Sequence, residues 1–403
     1  MTNITKRTTR IETSPSSVAT QRARELRAEG RDIVALTQGQ PDFPTPDHVM
    51  DAAYAAMKRG ETTYTPVGGT PELKDAIQLK FKRENGLDYA HDQIIASNGA
   101  KQTIFNAIQA TVEAGDEIVI ATPFWGSYAE MSKYAGGVPV LVECREENGF
   151  KLQPEELAKA VTPKTRWLML NSPNNPSGAL YTADEYRALG DVLVDHPGCM
   201  LMSDDMYEHI RFDGIDFVTP AKVDPRLYDR TLTVNGVSKA YAMTGWRIGY
   251  AGGPADLVQV MHKLQNQSTG NPNSVAQAAA ITALTGPQDV VTERAKIFQV
   301  RRDFMLDRLN NCAGLSCLSP DGAFYVYPSC AGLIGKTSPA GRKIENDRDF
   351  VICLLEEFGI GAVHGEAYGL SPHFRLSFAA SMEDLDEACH RIQTACQALC
   401  YER

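Results

Sequence analysis

The 403-residue sequence has no Cys-x-x-Cys pair, no long apolar run and no surplus of basic charge, and each lack closes off a class of protein. Its nine cysteines (144, 199, 312, 317, 330, 353, 389, 396 and 400) are an odd number in a long chain. They read as reduced, buried thiols and not as a disulfide framework. Cys396 and Cys400 lie one helical turn apart, with no second pair nearby to complete a zinc site. Nothing approaches the roughly 18 consecutive apolar residues of a membrane span. The Thr/Ser-rich stretch from Met1 to Ser17 lacks the apolar centre of a signal peptide, so it reads as a loose arm on a cytoplasmic protein. A net charge of -10 argues against a nucleic-acid partner, which normally meets a basic face. What is present, 43% hydrophobic and 22% charged residues, suits a soluble globular chain with a substantial core and room for two domains.

From about Ile94 to Gly253, short apolar runs alternate with helix-length segments. The runs are Glu117–Ala121, Val138–Glu143, Trp167–Leu170, Met200–Met202, Thr231–Val234 and Ile248–Ala251. This alternation predicts parallel strands joined by crossovers, an α/β sheet with helices on both faces. After about Gly286 the pattern changes. One long helix is expected over Asp289 to Asn310, followed by strands at Ala323–Tyr327, Ala362–His364 and Phe374–Phe378 and a last helix from about Met382 to Leu399. We expect a large domain over 48–288 and a smaller α+β domain over 289–403, with residues 1–47 forming an arm that joins the smaller one.

Parallel sheets bind ligands at the carboxyl ends of their strands, so the residues that follow each run matter most. NSPNNPSG (171–178) follows the third run, SDDMY (203–207) the fourth, and NGVSK (235–239) the fifth. An amide, a carboxylate with a tyrosine three residues on, and a lysine therefore meet at one edge. SNGAKQ (97–102) precedes an apolar helix, and small residues at a helix start let backbone N–H groups approach an anion. Any one of these alone would pass for an ordinary loop or turn.

Together with SKAYAMTGWRIGY (238–250), LTQGQPDFPTP (36–46), YTPVGGTPELK (64–74), TPFWGSY (122–128) and FRLSFA (374–379), these strings resemble the class I aspartate aminotransferase family of fold-type I pyridoxal 5′-phosphate (PLP) enzymes. The resemblance covers nearly the whole chain. It implies that Lys239 carries the cofactor and shuttles a proton between the substrate Cα and the cofactor. It implies Asp204 at the pyridine nitrogen, with the D-x-x-Y spacing selecting it over Asp205, and Tyr207 and Asn175 at the phenolic oxygen. Trp125 would stack on the ring. Gly99, Ala100, Lys101, Ser238 and Arg247 would surround the phosphate, joined by Tyr64 from a neighbouring subunit, which implies a homodimer. Arg375 would grip the substrate α-carboxylate, with Asn175, Trp125 and the Gly39 backbone beside it.

These residue types suit the chemistry on physical grounds as well. A buried carboxylate keeps a pyridine nitrogen protonated. A lysine can be desolvated into a neutral nucleophile and base. Arginine fixes the plane of a carboxylate through two parallel N–H bonds. No arginine marks itself for a distal substrate carboxylate, so aspartate and an aromatic amino acid both stand as donors to 2-oxoglutarate. A β-lyase on the same scaffold is the alternative reaction. A PLP-binding regulator would need a DNA-binding module, and the 47 or so residues before the large domain are too few and lack its helix pattern.

Overall fold

The computed structural model describes residues 4–401, so Met1–Asn3 of the expected arm and the last two residues of the expected C-terminal domain lie outside it. Its strands in chain order are β1 (Val34–Ala35), β2 (Ile94–Ser97), β3 (Glu117–Thr122), β4 (Val138–Glu143), β5 (Thr165–Asn171), β6 (Met200–Asp204), β7 (Thr231–Gly236), β8 (Gly249–Gly252), β9 (Tyr325–Val326), β10 (Ile360–Gly361), β11 (Val363–His364) and β12 (Phe374–Ser377). Seven of them form one sheet in the order β2-β8-β7-β6-β5-β3-β4. A three-stranded antiparallel sheet, β11-β12-β9, stands apart from it, and β1 pairs in parallel with β10.

The large sheet is mixed and mostly parallel, with helices on both faces. Successive side chains of a strand point to opposite faces, so one strand feeds two cores. Ile118, Ile120, Trp167 and Met169 enter one apolar cluster, while Val119, Leu168 and Leu170 enter another. That is why β3 and β5 read as continuous apolar runs and not as alternating ones. β4, at the sheet edge, has no fully buried residue.

Three sequence expectations do not hold. The run at Ile248–Ala251 does not continue the parallel set: β8 is antiparallel to both β7 and β2. The stretch from β7 to β8 forms turns and no crossover helix, so the chain can only double back. The N-terminal segment is not loose over its described residues. Arg7 lies over the Tyr134 ring at 5.8 Å, the Glu12 amide donates to Glu130 Oε2 at 2.7 Å, and a helix spans Pro15–Ala28. Eight of the nine cysteines are buried and none is disulfide-bonded, but Cys400 is exposed. Among the described residues no helix is long and apolar enough to cross a membrane.

Candidate active site

The polar ends of β2, β5, β6 and β7 converge on one edge, where the small sheet approaches. Lys239 follows β7 in a turn. Its Nζ donates to the Gly39 carbonyl and lies 5.5 Å from the centre of the Tyr207 ring and 5.8 Å from that of Phe324. Burial, and next the Arg375 guanidinium, push its ammonium down to about 8, against the opposing pull of Asp204. An amine so placed reaches its neutral, nucleophilic form near physiological pH.

Asp204 ends β6 and is buried. Its Oδ2 accepts from Tyr128 Oη at 2.5 Å and its Oδ1 from the Met206 amide at 3.3 Å. Burial pushes this carboxyl up to about 6, with Tyr128 pulling the other way. A buried carboxylate with no cation of its own is a built receptor for a protonated ring nitrogen. Asp205 is different. It points to the other side, where Ser203 Oγ donates to it at 2.5 Å, and its Oδ2 has no partner.

Tyr207 Oη lies 2.8 Å from Tyr325 Oη, a bond that joins the β6 edge to β9 of the small sheet. Arg375, on β12, is 3% exposed. It donates from Nη1 to Asn175 Oδ1 at 2.9 Å and from Nη2 to the Thr37 carbonyl at 2.6 Å, while its Nε has no partner. The rings of Tyr325 and Tyr368 flank the guanidinium at 4.5 Å and 5.1 Å. Gly39 fits this neck of the site because a Cβ there would stand 2.8 Å from Tyr325 Oη.

The cup at Gly99 is tightly built. Gly99 has φ +85°, and a Cβ on it would come within 2.3 Å of Arg247 Nη2. The helix that starts at Ala100 carries no side-chain cap, so its first N–H groups remain available to an anion. Arg247 itself sits at φ +58° and donates to the Asn98 and Thr244 carbonyls, which holds its guanidinium over the helix start. Ser238 is buried beside Lys239. Lys101 turns its ammonium onto the Trp125 ring at 4.8 Å, and Trp125 meets Tyr128 edge-on. The uncapped helix, the isolated carboxylate and the desolvated amine together fit the phosphate, ring nitrogen and aldehyde of PLP.

The predicted residues thus cluster, with one exception. Tyr64 is 97% exposed and is not buried among the others. The sequence reading missed Tyr128, which bonds Asp204, and Tyr325, which bonds Tyr207. Tyr128 stands in the same TPFWGSY string as Trp125, one helical turn further on, and that spacing was the available signal. Thr37 acts through its carbonyl, which no side chain announces.

A mostly parallel sheet with a lysine, a carboxylate and an uncapped helix at the ends of its strands defines a PLP-dependent transferase. The model of the family "Aminotransferase class I and II" matches residues 31–392, and the chain belongs to that family. It is 55% identical over 389 residues to a probable aspartate/prephenate aminotransferase of Rhizobium leguminosarum bv. phaseoli, an alignment covering 96% of this chain and 97% of that one. It is 53% identical over 390 residues to an aspartate/prephenate aminotransferase of Cereibacter sphaeroides, covering 97% and 98%. The crystal structure of the aspartate aminotransferase from Rhizobium meliloti superposes with a TM-score of 0.97 at 51% identity, covering 99% of this chain and all of that one. The chain is a PLP-dependent aminotransferase of fold type I, and the lyase alternative is not favoured.

Proposed function

We propose that this enzyme takes the amino group of aspartate and delivers it to a 2-oxo acid, 2-oxoglutarate or prephenate, in a site shared between two identical subunits. One observation carries the substrate placement: Arg375 is buried with its Nη atoms anchored and its Nε free, beside Lys239 and Asn175. Such a guanidinium suits the α-carboxylate common to every amino acid. The choice of aspartate and prephenate rests on the names of the close relatives.

In this reading Asp204 holds a proton on the pyridine nitrogen, and Tyr128 keeps its carboxylate oriented. Tyr207, fixed by Tyr325, and Asn175 meet the phenolic oxygen, while Trp125 stacks on the ring. Gly99, Ala100, Lys101, Ser238 and Arg247 receive the phosphate. PLP, when bound, supplies an electron sink for the charge left by deprotonation at Cα. Lys239 Nζ takes the Cα proton and returns it, and its lowered affinity for protons suits both tasks. Arg375 and Asn175 hold the carboxylate so that the Cα–H bond faces that nitrogen. We assign cofactor binding to the unit over 48–288 and substrate grip to the unit over 289–403 with the 1–47 segment.

A second subunit is supported by exposed apolar side chains on the helix Asp47–Lys58, namely Met50, Tyr54 and Met57, and by Tyr64 beyond it. The test is a panel of amino donors assayed with 2-oxoglutarate and with prephenate. Aspartate should lead with both acceptors. A clear preference for an aromatic donor, or failure with prephenate, would overturn that half of the proposal.

A further inference from the structure

Behind the Asp204–Tyr207 turn, on the side away from Lys239, lies a buried charge network. Lys80 is fully buried at the end of the helix Pro71–Lys80. Its ammonium pairs with Glu208, the residue after Tyr207, and lies 3.6 Å from Glu84 Oε2. It also donates to Asn85 Oδ1 at 2.7 Å, and Asn85 Nδ2 donates to Glu208 Oε2 at 2.7 Å, which closes a ring of three side chains. His209 Nε2 lies 2.9 Å from Glu84 Oε2.

The backbone is shaped to make this ring. Helix Pro71–Lys80 passes directly into a single π-turn over Phe81–Asn85. Its i→i+5 spacing brings Asn85 onto the face of Lys80, where Glu84 already stands at i+4. Glu84, Glu208 and His209 offer ligand atoms within 4.8 Å of one another, but Lys80 already does what a metal cation would do there. Burial pushes the Glu208 carboxyl up, and Lys80 and His209 outweigh it, so that the group ends below its ordinary value. The network also borders Asp205, whose buried Oδ2 lacks a partner.

A buried ion pair is weak evidence of added stability, because desolvation offsets the attraction. Its place immediately beside Tyr207 points to a different use. We propose that Lys80 is a positioning residue for the cofactor: by anchoring and neutralising Glu208, it fixes the turn that carries Asp204 and Tyr207 and balances the charge buried behind that turn. Removing Lys80 leaves Glu208 and Glu84 without their shared cation, and removing the Glu208 charge leaves Lys80 with Glu84 alone. The two changes act in opposite electrical directions.

The inference rests on the cofactor placement proposed above. The test uses holoenzyme in three forms, Lys80→Met, Glu208→Gln and the double variant, and reads the visible absorbance of bound PLP against pH. Lys80→Met should raise the titration midpoint and Glu208→Gln should lower it. The scale is about one pH unit, the order of one unit charge gained or lost within a protein interior. The double variant should titrate near the parent. Each single variant should also bind PLP about tenfold more weakly. A purely structural pair would lower the melting temperature and leave the midpoint in place, and that result would overturn the proposal, as would shifts of the same sign. If Lys80→Met does not fold, Glu208→Gln and the double variant, which leaves no Lys80 or Glu208 charge unpaired, still decide the sign. Borohydride reduction and peptide mapping of the same samples separate the two readings. A label away from Lys239 refutes the cofactor placement, whereas normal labelling with unmoved midpoints refutes only the role of Lys80.

Discussion

Replacing Arg375 by lysine keeps the charge and removes the geometry. In the parent, two nitrogens of one planar group are tied to separate anchors, Asn175 at 2.9 Å and the Thr37 carbonyl at 2.6 Å, between two tyrosine rings. A lysine ammonium can keep at most a compromise between those anchors. It has no fork to set the plane of a carboxylate and no flat face for Tyr325. Truncating one partner of a buried, hydrogen-bonded charge pair costs about 2–5 kcal/mol. Since each roughly 1.4 kcal/mol is a factor of ten, kcat/KM should fall by on the order of a hundredfold or more. Steady-state kinetics with aspartate and with aromatic donors should show similar losses, because all share the α-carboxylate. The absorbance of bound PLP should hardly change. A loss confined to acidic donors would make Arg375 a reader of the side chain, and the substrate would then lie the other way round.

The amine of Lys239 should load PLP onto apo-protein with a rate that climbs through a pH midpoint near 8, where burial and Arg375 have placed it, and a midpoint near 10.5 would contradict that environment. Asp204 is raised to about 6 from an ordinary 3.8, so its ionised form costs the folded apo-protein stability above pH 6, and that cost fades as pH falls toward 4. Asp204→Asn should therefore melt a few degrees higher than the parent as apo-protein at pH 8, with the gap closing in acid, while binding PLP more weakly; equal melting at pH 8 would count against the buried charge. For the shared site, mixing Tyr64→Ala with Lys239→Ala should restore activity in hybrid dimers, each with one site that has both residues, and an active monomer in sedimentation would dismiss the arrangement.

Much of this is legible in the sequence because a parallel sheet writes its strands as apolar runs and its ligand edge as whatever follows them. Asn175, Asp204 and Lys239 each follow such a run, and the structure brings them to one edge. Strand direction is not written that way. Ile248–Ala251 looks like its neighbours, and only the short turn-filled link to β7 makes β8 antiparallel. Partners drawn from distant segments were equally hidden. Tyr325 matters because it meets Tyr207 across 118 positions of sequence, and Lys80 because a π-turn puts Asn85 beside it. The docking of the N-terminal segment rests on contacts with distant residues, among them the Glu12 amide donating to Glu130 and Arg7 lying over Tyr134, which composition does not reveal.

The pairing of β1 with β10 has a consequence for how the protein is made. Val34 waits for Ile360, more than three hundred residues downstream, before its backbone finds a strand partner. Ribosomes add about 5–20 residues per second, so the N-terminal helix with its apolar Ala23 and Leu26, and Ile33 just beyond it, stay without their destination for roughly 15–65 seconds of synthesis. During that interval the large sheet can already assemble, and Gly39 and Thr37 swing into the active-site neck only afterwards. A nascent chain stalled before residue 360 should therefore hold a formed sheet with an unattached leading segment, open to chaperones or proteases until about the last ninth of the sequence emerges.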